Sequence, residues 1–259
     1  MTSALQIIPI CALKDNYIWA IINAKQDKVI IVDPGEAAPV FEFIKKNQLT
    51  LSAILITHKH GDHCHGVNEL VAQCAVPVFG PAHDAIPHLS HLVQDDEVIT
   101  FDEFDLQFRV LEIPGHTLEH IAYYGHGVLF CGDTLFTGGC GRLFEGTPKQ
   151  MYHSLNKLTQ LPDDTLIYCG HEYTASNLKF ALAVEPDNAD LLARIQKVET
   201  RVAQNIPTVP ASLAEEKRTN PFLRCSVPQV IAAAEQQAQQ MLMNPVAVFA
   251  TVRDWKNNF

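Results

Sequence analysis

The chain predicts an α/β domain followed by an all-helical one, and three observations carry that expectation. From the start to about residue 170, short runs rich in β-branched residues alternate with helix-like segments, with turn residues between them. After Tyr173 no strand-like run appears, and four helical segments follow one another. At 259 residues the chain is long for one ordinary core, so a larger and a smaller domain are expected, divided as 1–173 and 174–259.

The expected strands are residues 17–23, 29–33, 51–56, 76–79, 106–113, 121–124, 128–131 and 166–169. Their Val, Ile, Tyr and Phe content suits a pleated surface that is packed on at least one face. Residues 37–47, 67–74 and 148–161 read as helices between them. In the second part, residues 175–184, 190–204, 228–243 and 245–257 read as helices, with Pro228 and Pro245 standing where a first helical turn tolerates proline. The proline-containing stretch 206–221 interrupts this series.

Hydrophobic residues at 47% and charged residues at 19% describe a chain able to bury a core. A net charge of −10 argues against a general nucleic-acid binder, because neutralising phosphates takes a surplus of Lys and Arg. No apolar run approaches the ~20 residues that cross a bilayer. The N-terminal stretch has no basic residue ahead of its apolar run and leads directly into strand-like sequence, so it does not read as a signal peptide. The seven cysteines are scattered, without a CxxC pair, and read as reduced thiols in the cytoplasm.

The densest chemistry lies just after strand 51–56, where Thr57-His58-Lys59-His60-Gly61-Asp62-His63 contains the pattern HxHxDH. Imidazole and carboxylate both bind divalent first-row metals, and four such side chains in six residues exceed what one ion could comfortably use. Three more candidates follow other strands: His116 in PGHT, Asp133 in GDT and His171 in GHE. Functional groups of α/β sheets collect at the carboxyl ends of strands, so one site fed by four loops is expected. Five histidines and two aspartates suffice for two ions if one carboxylate bridges. Asp33 in VDPG is a candidate for orienting a metal-bound histidine from behind, with a plain helix-entry or turn role as the alternative. His120, four residues after His116, is a second such candidate, and His88 and His91 read as surface residues.

The combination HxHxDH, GHT, GDT and GHE resembles the metallo-β-lactamase superfamily. The resemblance implies an αββα sandwich over roughly residues 5–173, with His58, His60, His116 and Asp133 on one metal and Asp62, His63, His171 and Asp133 on the other. A second set of marks resembles the hydroxyacylglutathione hydrolase (glyoxalase II) family over the whole chain: DNYIW at 15–19, VDPG at 32–35, GDTLF and GCGRLFEGT within 132–147, GHEYT at 170–174, NPFLR at 220–224 and the ending VRDWKNNF. That likeness implies glutathione contacts at Arg142, Phe144, Tyr173, Arg253 and Lys256. The cations suit a peptide with two carboxylates, and Arg253 and Lys256 share a helix face three residues apart.

The resemblance further implies hydrolysis of S-(2-hydroxyacyl)glutathione, chiefly the D-lactoyl thioester, by a metal-bridging hydroxide. His58, His60, Asp62, His63 and Asp133 are then the catalytic set. Two divalent cations are expected, zinc first, with iron or manganese as alternatives that His and Asp ligands also accept. The partner is a small-molecule thioester and a monomer is expected. Another hydrolase of the same fold, such as a lactonase, β-lactamase or phosphodiesterase, would use the same seven ligands, and a metal-free binding module is the remaining alternative. The chain departs from the family at Arg142 and Phe144, where some members have Lys and Tyr, and at His65 and Glu119, where glycines are common. The last two place the turn geometry of the metal loop in question.

Overall fold

Strands that are apolar at every position imply a sheet covered on both faces. The computed structural model, which describes residues 6–259, contains such a sheet in the first of two compact units. That unit comprises residues up to 112 together with 119–132, and the second comprises 113–118 together with 133–259.

In the first unit, β1 (Gln6–Ala12), β2 (Asn16–Ile22), β3 (Lys28–Val32), β4 (Thr50–Leu55), β5 (Val78–Gly80) and β6 (His91–Leu92) lie side by side in chain order. The first three strands are antiparallel, and β3 to β6 are parallel. Parallel neighbours need crossovers, which α1 (Ala38–Asn47) and α3 (Val67–Cys74) help to supply, with the single turn α2 (Gly61–Cys64) just before α3. Ile18, Ala20 and Ile22 of β2 pack with Val40 of α1 and with Val67 and Leu70 of α3. All seven β2 residues are buried, so Trp19 and Ile21, on the opposite face, are covered too.

A second set of strands, β7 (Val98–Phe101), β8 (Leu106–Glu112), β9 (Ile121–Gly125) and β10 (Val128–Gly132), runs antiparallel in the order β10-β9-β8-β7. The Tyr123 hydroxyl of β9 reaches the carbonyl of Ile56 at 2.9 Å and that of Phe79 at 3.3 Å, joining the two sets of strands.

The second unit begins its ordered elements with the hairpin β11 (Leu135–Phe136) and β12 (Gly139–Cys140). Next comes α4 (Pro148–Thr159), entered through a reciprocal cap between Thr147 and Gln150. Strand β13 (Leu166–Cys169) pairs with β14 (Ala211–Ser212), and α5 (Thr174–Val184) and α6 (Ala189–Ala203) lie between them in sequence. Helices α7 (Leu213–Thr219), α8 (Pro228–Ala238) and α9 (Pro245–Asn257) follow. Leu178 and Ala181 of α5 pack on Leu191 and Val198 of α6.

The β11–β12 hairpin is too short to hold itself, and side chains from the helices take its carbonyls. Asn177 donates to Thr137 O at 3.1 Å, Asn220 to Phe136 O at 3.2 Å and Gly139 O at 2.9 Å, and Arg253 to Cys140 O at 2.7 Å. Asn220 opens the NPFLR motif, which thereby acquires a structural task.

The helical region also contains the two-residue β14, too short for any periodicity to reveal. Helix α7 occupies part of the stretch read as a break, and its Ser212 cap accepts from the Glu215 N–H at 3.2 Å. Helix α8 stops at Ala238 rather than continuing to 243. Gln239 turns left-handed at φ 54°, and Met241 and Met243 beyond it are 77% and 88% exposed, so no apolar face remains there for a helix to bury.

Candidate metal centre

The HxHxDH loop divides its candidate ligands because its backbone changes state in the middle. Thr57 and His58 lie in a bend just past β4, His60 is extended at φ −62° and ψ 143°, and α2 then turns Asp62 and His63 away on a helical turn. The backbone of α2 passes so close to VDPG that a Cβ at Gly35 would lie 2.0 Å from the Asp62 carbonyl oxygen, so only glycine fits there. His65 is right-handed at φ −64° and asks nothing unusual of its backbone, which answers the question raised by the missing glycine. Glu119 likewise has no left-handed conformation.

Asp33 is the buried anchor of this half. It sits left-handed at φ 53°, a conformation Asp tolerates better than most residues. Its Oδ1 accepts the Thr57 N–H at 2.8 Å, and its Oδ2 accepts the Thr57 hydroxyl at 2.7 Å and the His63 Nδ1–H at 3.0 Å. The Thr57 hydroxyl spends its proton on Asp33, so it accepts from His58 Nδ1–H at 3.0 Å. Both imidazoles are thereby fixed in the tautomer that presents Nε2 as a lone pair, the form a cation binds.

His58 Nε2 faces His60 Nδ1 at 3.1 Å, close to the roughly 3.3 Å separating two nitrogens that share a tetrahedral zinc at ~2.05 Å. Asp62 is held by Asn16, whose amide donates to its backbone oxygen at 3.3 Å and to its Oδ2 at 3.1 Å. Asn16 belongs to DNYIW and was not singled out by sequence reasoning. It lies 46 residues from the group it orients.

The second unit carries the other three expected ligands. Asp133 Oδ2 lies 3.4 Å from both His116 Nε2 and His171 Nε2, so one carboxylate oxygen stands between two histidines. His116 Nδ1–H donates to the Arg142 carbonyl at 2.8 Å, again leaving Nε2 outward. The turn that aims Asp133 depends on Gly132 at φ 46°, where a Cβ would also meet Thr57 Oγ1 at 2.3 Å. The His171 ring stacks on Tyr173 at 4.7 Å, and Phe144 sets its edge against His116 at 5.2 Å.

Arg142, Arg253 and Lys256 share one neighbourhood. Lys256 is pushed down to about 8, first by burial, then by the charges of Arg253 and Arg142. Arg253 is buried, with its guanidinium over the Phe222 ring at 5.0 Å. Lys256 donates to Ser176 O at 3.2 Å and lies over Phe180. Among the described residues no carboxylate pairs with any of the three. Three cations held together against their mutual repulsion fit an anionic ligand.

The expected surface histidines stay apart from this chemistry: His88 and His91 are exposed, with His91 stacked on Phe79. Cys131 and Cys169 are buried, and burial pushes the Cys169 thiol up to about 12, which suits packing and not metal binding.

Comparison with known proteins matches residues 15–171 to the metallo-beta-lactamase superfamily and residues 172–259 to the hydroxyacylglutathione hydrolase C-terminus. A hydroxyacylglutathione hydrolase from Nitrosomonas eutropha is 52% identical over 255 residues, covering 98% of this chain and 99% of that protein. Among solved structures, ETHE1 from Myxococcus xanthus superposes with a TM-score of 0.65 at 24% identity, over 97% of each chain. TTHA1623 in a di-iron-bound form superposes with a TM-score of 0.60 at 25% identity, over 83% of this chain and 100% of that one.

Proposed function

The chain belongs to the hydroxyacylglutathione hydrolase family of the metallo-β-lactamase superfamily, and on that premise we propose that it hydrolyses S-(2-hydroxyacyl)glutathione, chiefly the D-lactoyl thioester, to glutathione and the hydroxy acid. His58, His60 and His116 would hold one divalent cation, Asp62, His63 and His171 the other, and Asp133 would serve both. The donor set fits: imidazole nitrogens fixed with Nε2 outward, beside carboxylates, suit zinc, iron or manganese, with zinc our assignment. A bound pair would acidify water to the neutral range and polarise the thioester carbonyl.

The chain's own residues do the rest. Asp33 and Thr57 hold the imidazoles of His58 and His63 in the binding tautomer. Tyr173, stacked on His171, and Phe144, against His116, would line the path of the thiol half. A glutathione thiolate, with a pKa near ~8.5, leaves without a proton donor, so no side-chain acid is required. In this reading the helical region 174–259 is the substrate-binding part. The net charge of −10 supports a small-molecule substrate over a nucleic acid. No helix among the described residues is long and apolar enough to cross a membrane. We assign the protein to the cytoplasm as a monomer, with its thiols reduced.

The observation that carries the substrate assignment is the cation group Arg142, Arg253 and Lys256, which lacks a carboxylate partner. Substituting Arg253→Ala or Lys256→Ala is expected to raise KM for lactoylglutathione about 10-fold, near 1.4 kcal/mol, at the upper end of an ordinary hydrogen bond. Turnover and metal content should hardly change in Lys256→Ala, whereas Arg253→Ala also removes the donor to Cys140 O and should lower stability as well. Indifference of KM to both substitutions rejects the glutathione subsite.

The lowered Lys256 pKa adds a pH signature. Above about 8 the free enzyme loses this charge, so kcat/KM for glutathione thioesters should fall as pH rises through that range. Lys256→Arg should move the fall upward, and an unchanged alkaline limb in that variant would separate Lys256 from substrate binding.

A further inference from the structure

The segment after His116 grips the metal loop residue by residue. Ile121 N–H donates to Thr57 O at 3.0 Å, the His120 ring stacks on His58 at 4.5 Å and 14°, and the Glu119 carboxylate reaches Lys59. The register is antiparallel: 121 meets 57, 120 meets 58 and 119 meets 59. Beneath it, the Tyr123 hydroxyl bonds Ile56 O at 2.9 Å. His120 is itself pinned, since it is fully buried, its Nδ1–H goes to Ile121 O at 3.0 Å, and the backbone of Gly132 closes on its ring.

Glu119 is the member of this clamp with the most leverage. Its Oε1 accepts the backbone N–H of Lys59 at 3.1 Å, and its Oε2 lies 3.6 Å from the Lys59 ammonium. Both side chains are mostly buried, at 12% and 18% exposure, unlike an ordinary surface pair. The Lys59 peptide lies between His58 and His60, beyond the last residue of β4, where no sheet ladder fixes it. A shift of that peptide changes the 3.1 Å spacing of His58 Nε2 and His60 Nδ1, and a cation's affinity depends steeply on donor spacing.

We propose that Glu119 is a positioning residue for the metal loop, holding the Lys59 peptide so that His58 and His60 present their nitrogens at the spacing one cation requires. This inference rests on the metal-centre reading. The backbone contact needs only an acceptor, whereas the ion pair needs charge, so four variants separate the two.

The test is a zinc titration of the full-length apoprotein against a chromophoric chelator. Glu119→Ala should weaken zinc about 10-fold or more, while Glu119→Gln, which still accepts the Lys59 N–H, stays within about 3-fold of the parent. Lys59→Ala keeps the backbone donor and should also stay within about 3-fold. Unaltered zinc affinity in Glu119→Ala overturns the proposal, as does an equal loss in Glu119→Gln or in Lys59→Ala. If Glu119→Ala does not fold, Glu119→Asp decides: its charge is kept but its carboxylate is withdrawn by one methylene, so affinity should fall as far, and full retention overturns the proposal. Failure of the parent protein itself to take up zinc would reject the metal-centre reading instead.

Discussion

Asp133→Asn is expected to lower kcat for a glutathione thioester about 10³-fold, roughly 4 kcal/mol of lost transition-state stabilisation. The reason lies in the position of one atom: Asp133 Oδ2 is 3.4 Å from Nε2 of both His116 and His171. An amide has nearly the same shape, so the buried site should still fold. Its oxygen carries no formal charge, so it is too weak a donor to serve two cations. Elemental analysis of the purified variant should find about one equivalent of metal or fewer. Two equivalents with near-parental turnover would show that Asp133 does not bridge.

The second large effect is expected at Asp33, a residue that touches no substrate in our reading. Asp33→Ala strips the acceptor from three buried donors at once: the Thr57 N–H, the Thr57 hydroxyl and His63 Nδ1–H. Each stranded donor costs on the order of 1–3 kcal/mol, so a stability loss of about 3 kcal/mol or more should follow, read as a lower urea midpoint of the apoprotein. His58 and His63 also lose the constraint on their tautomers, and zinc affinity should fall about 10- to 100-fold. Unfolding and metal titrations that both match the parent would mean that Asp33 is only a turn residue.

Much of the candidate site can be read from the sequence, because metal chemistry compresses into short patterns. Four metal-competent side chains within His58–His63 have no reason to crowd a strand end otherwise, and His116, Asp133 and His171 each sit next to a glycine just past a strand. Asp33 was legible for the same reason, standing at the end of β3 in VDPG. What spacing cannot reveal is which distant side chain holds which ligand. Asn16 supports Asp62 from 46 residues away and Glu119 reaches Lys59 across 60, contacts that exist only once the strands are in register. Thr57 was passed over because a threonine before a ligand looks like ordinary strand sequence, although its hydroxyl couples His58 to Asp33.

The fold shows the same division. Helices with an apolar face, such as α6, were visible from periodicity, whereas β14 and the β11–β12 hairpin have two residues per strand and depend on partners elsewhere. The end of α8 was misplaced because helix-favouring residues continue past Gln239 with nothing left to pack against. Ser212 and Glu215 did carry a capping signal for α7, overlooked among the surrounding prolines.

The most direct test of the central claim is thiol release from S-D-lactoylglutathione by protein carrying two zinc equivalents, assayed beside a β-lactam and a lactone. The expected result is a kcat/KM above about 10⁴ M⁻¹s⁻¹ for the thioester, with the other two substrates far slower. Thiol release no faster than in buffer, by protein that holds both metals, would contradict the assignment.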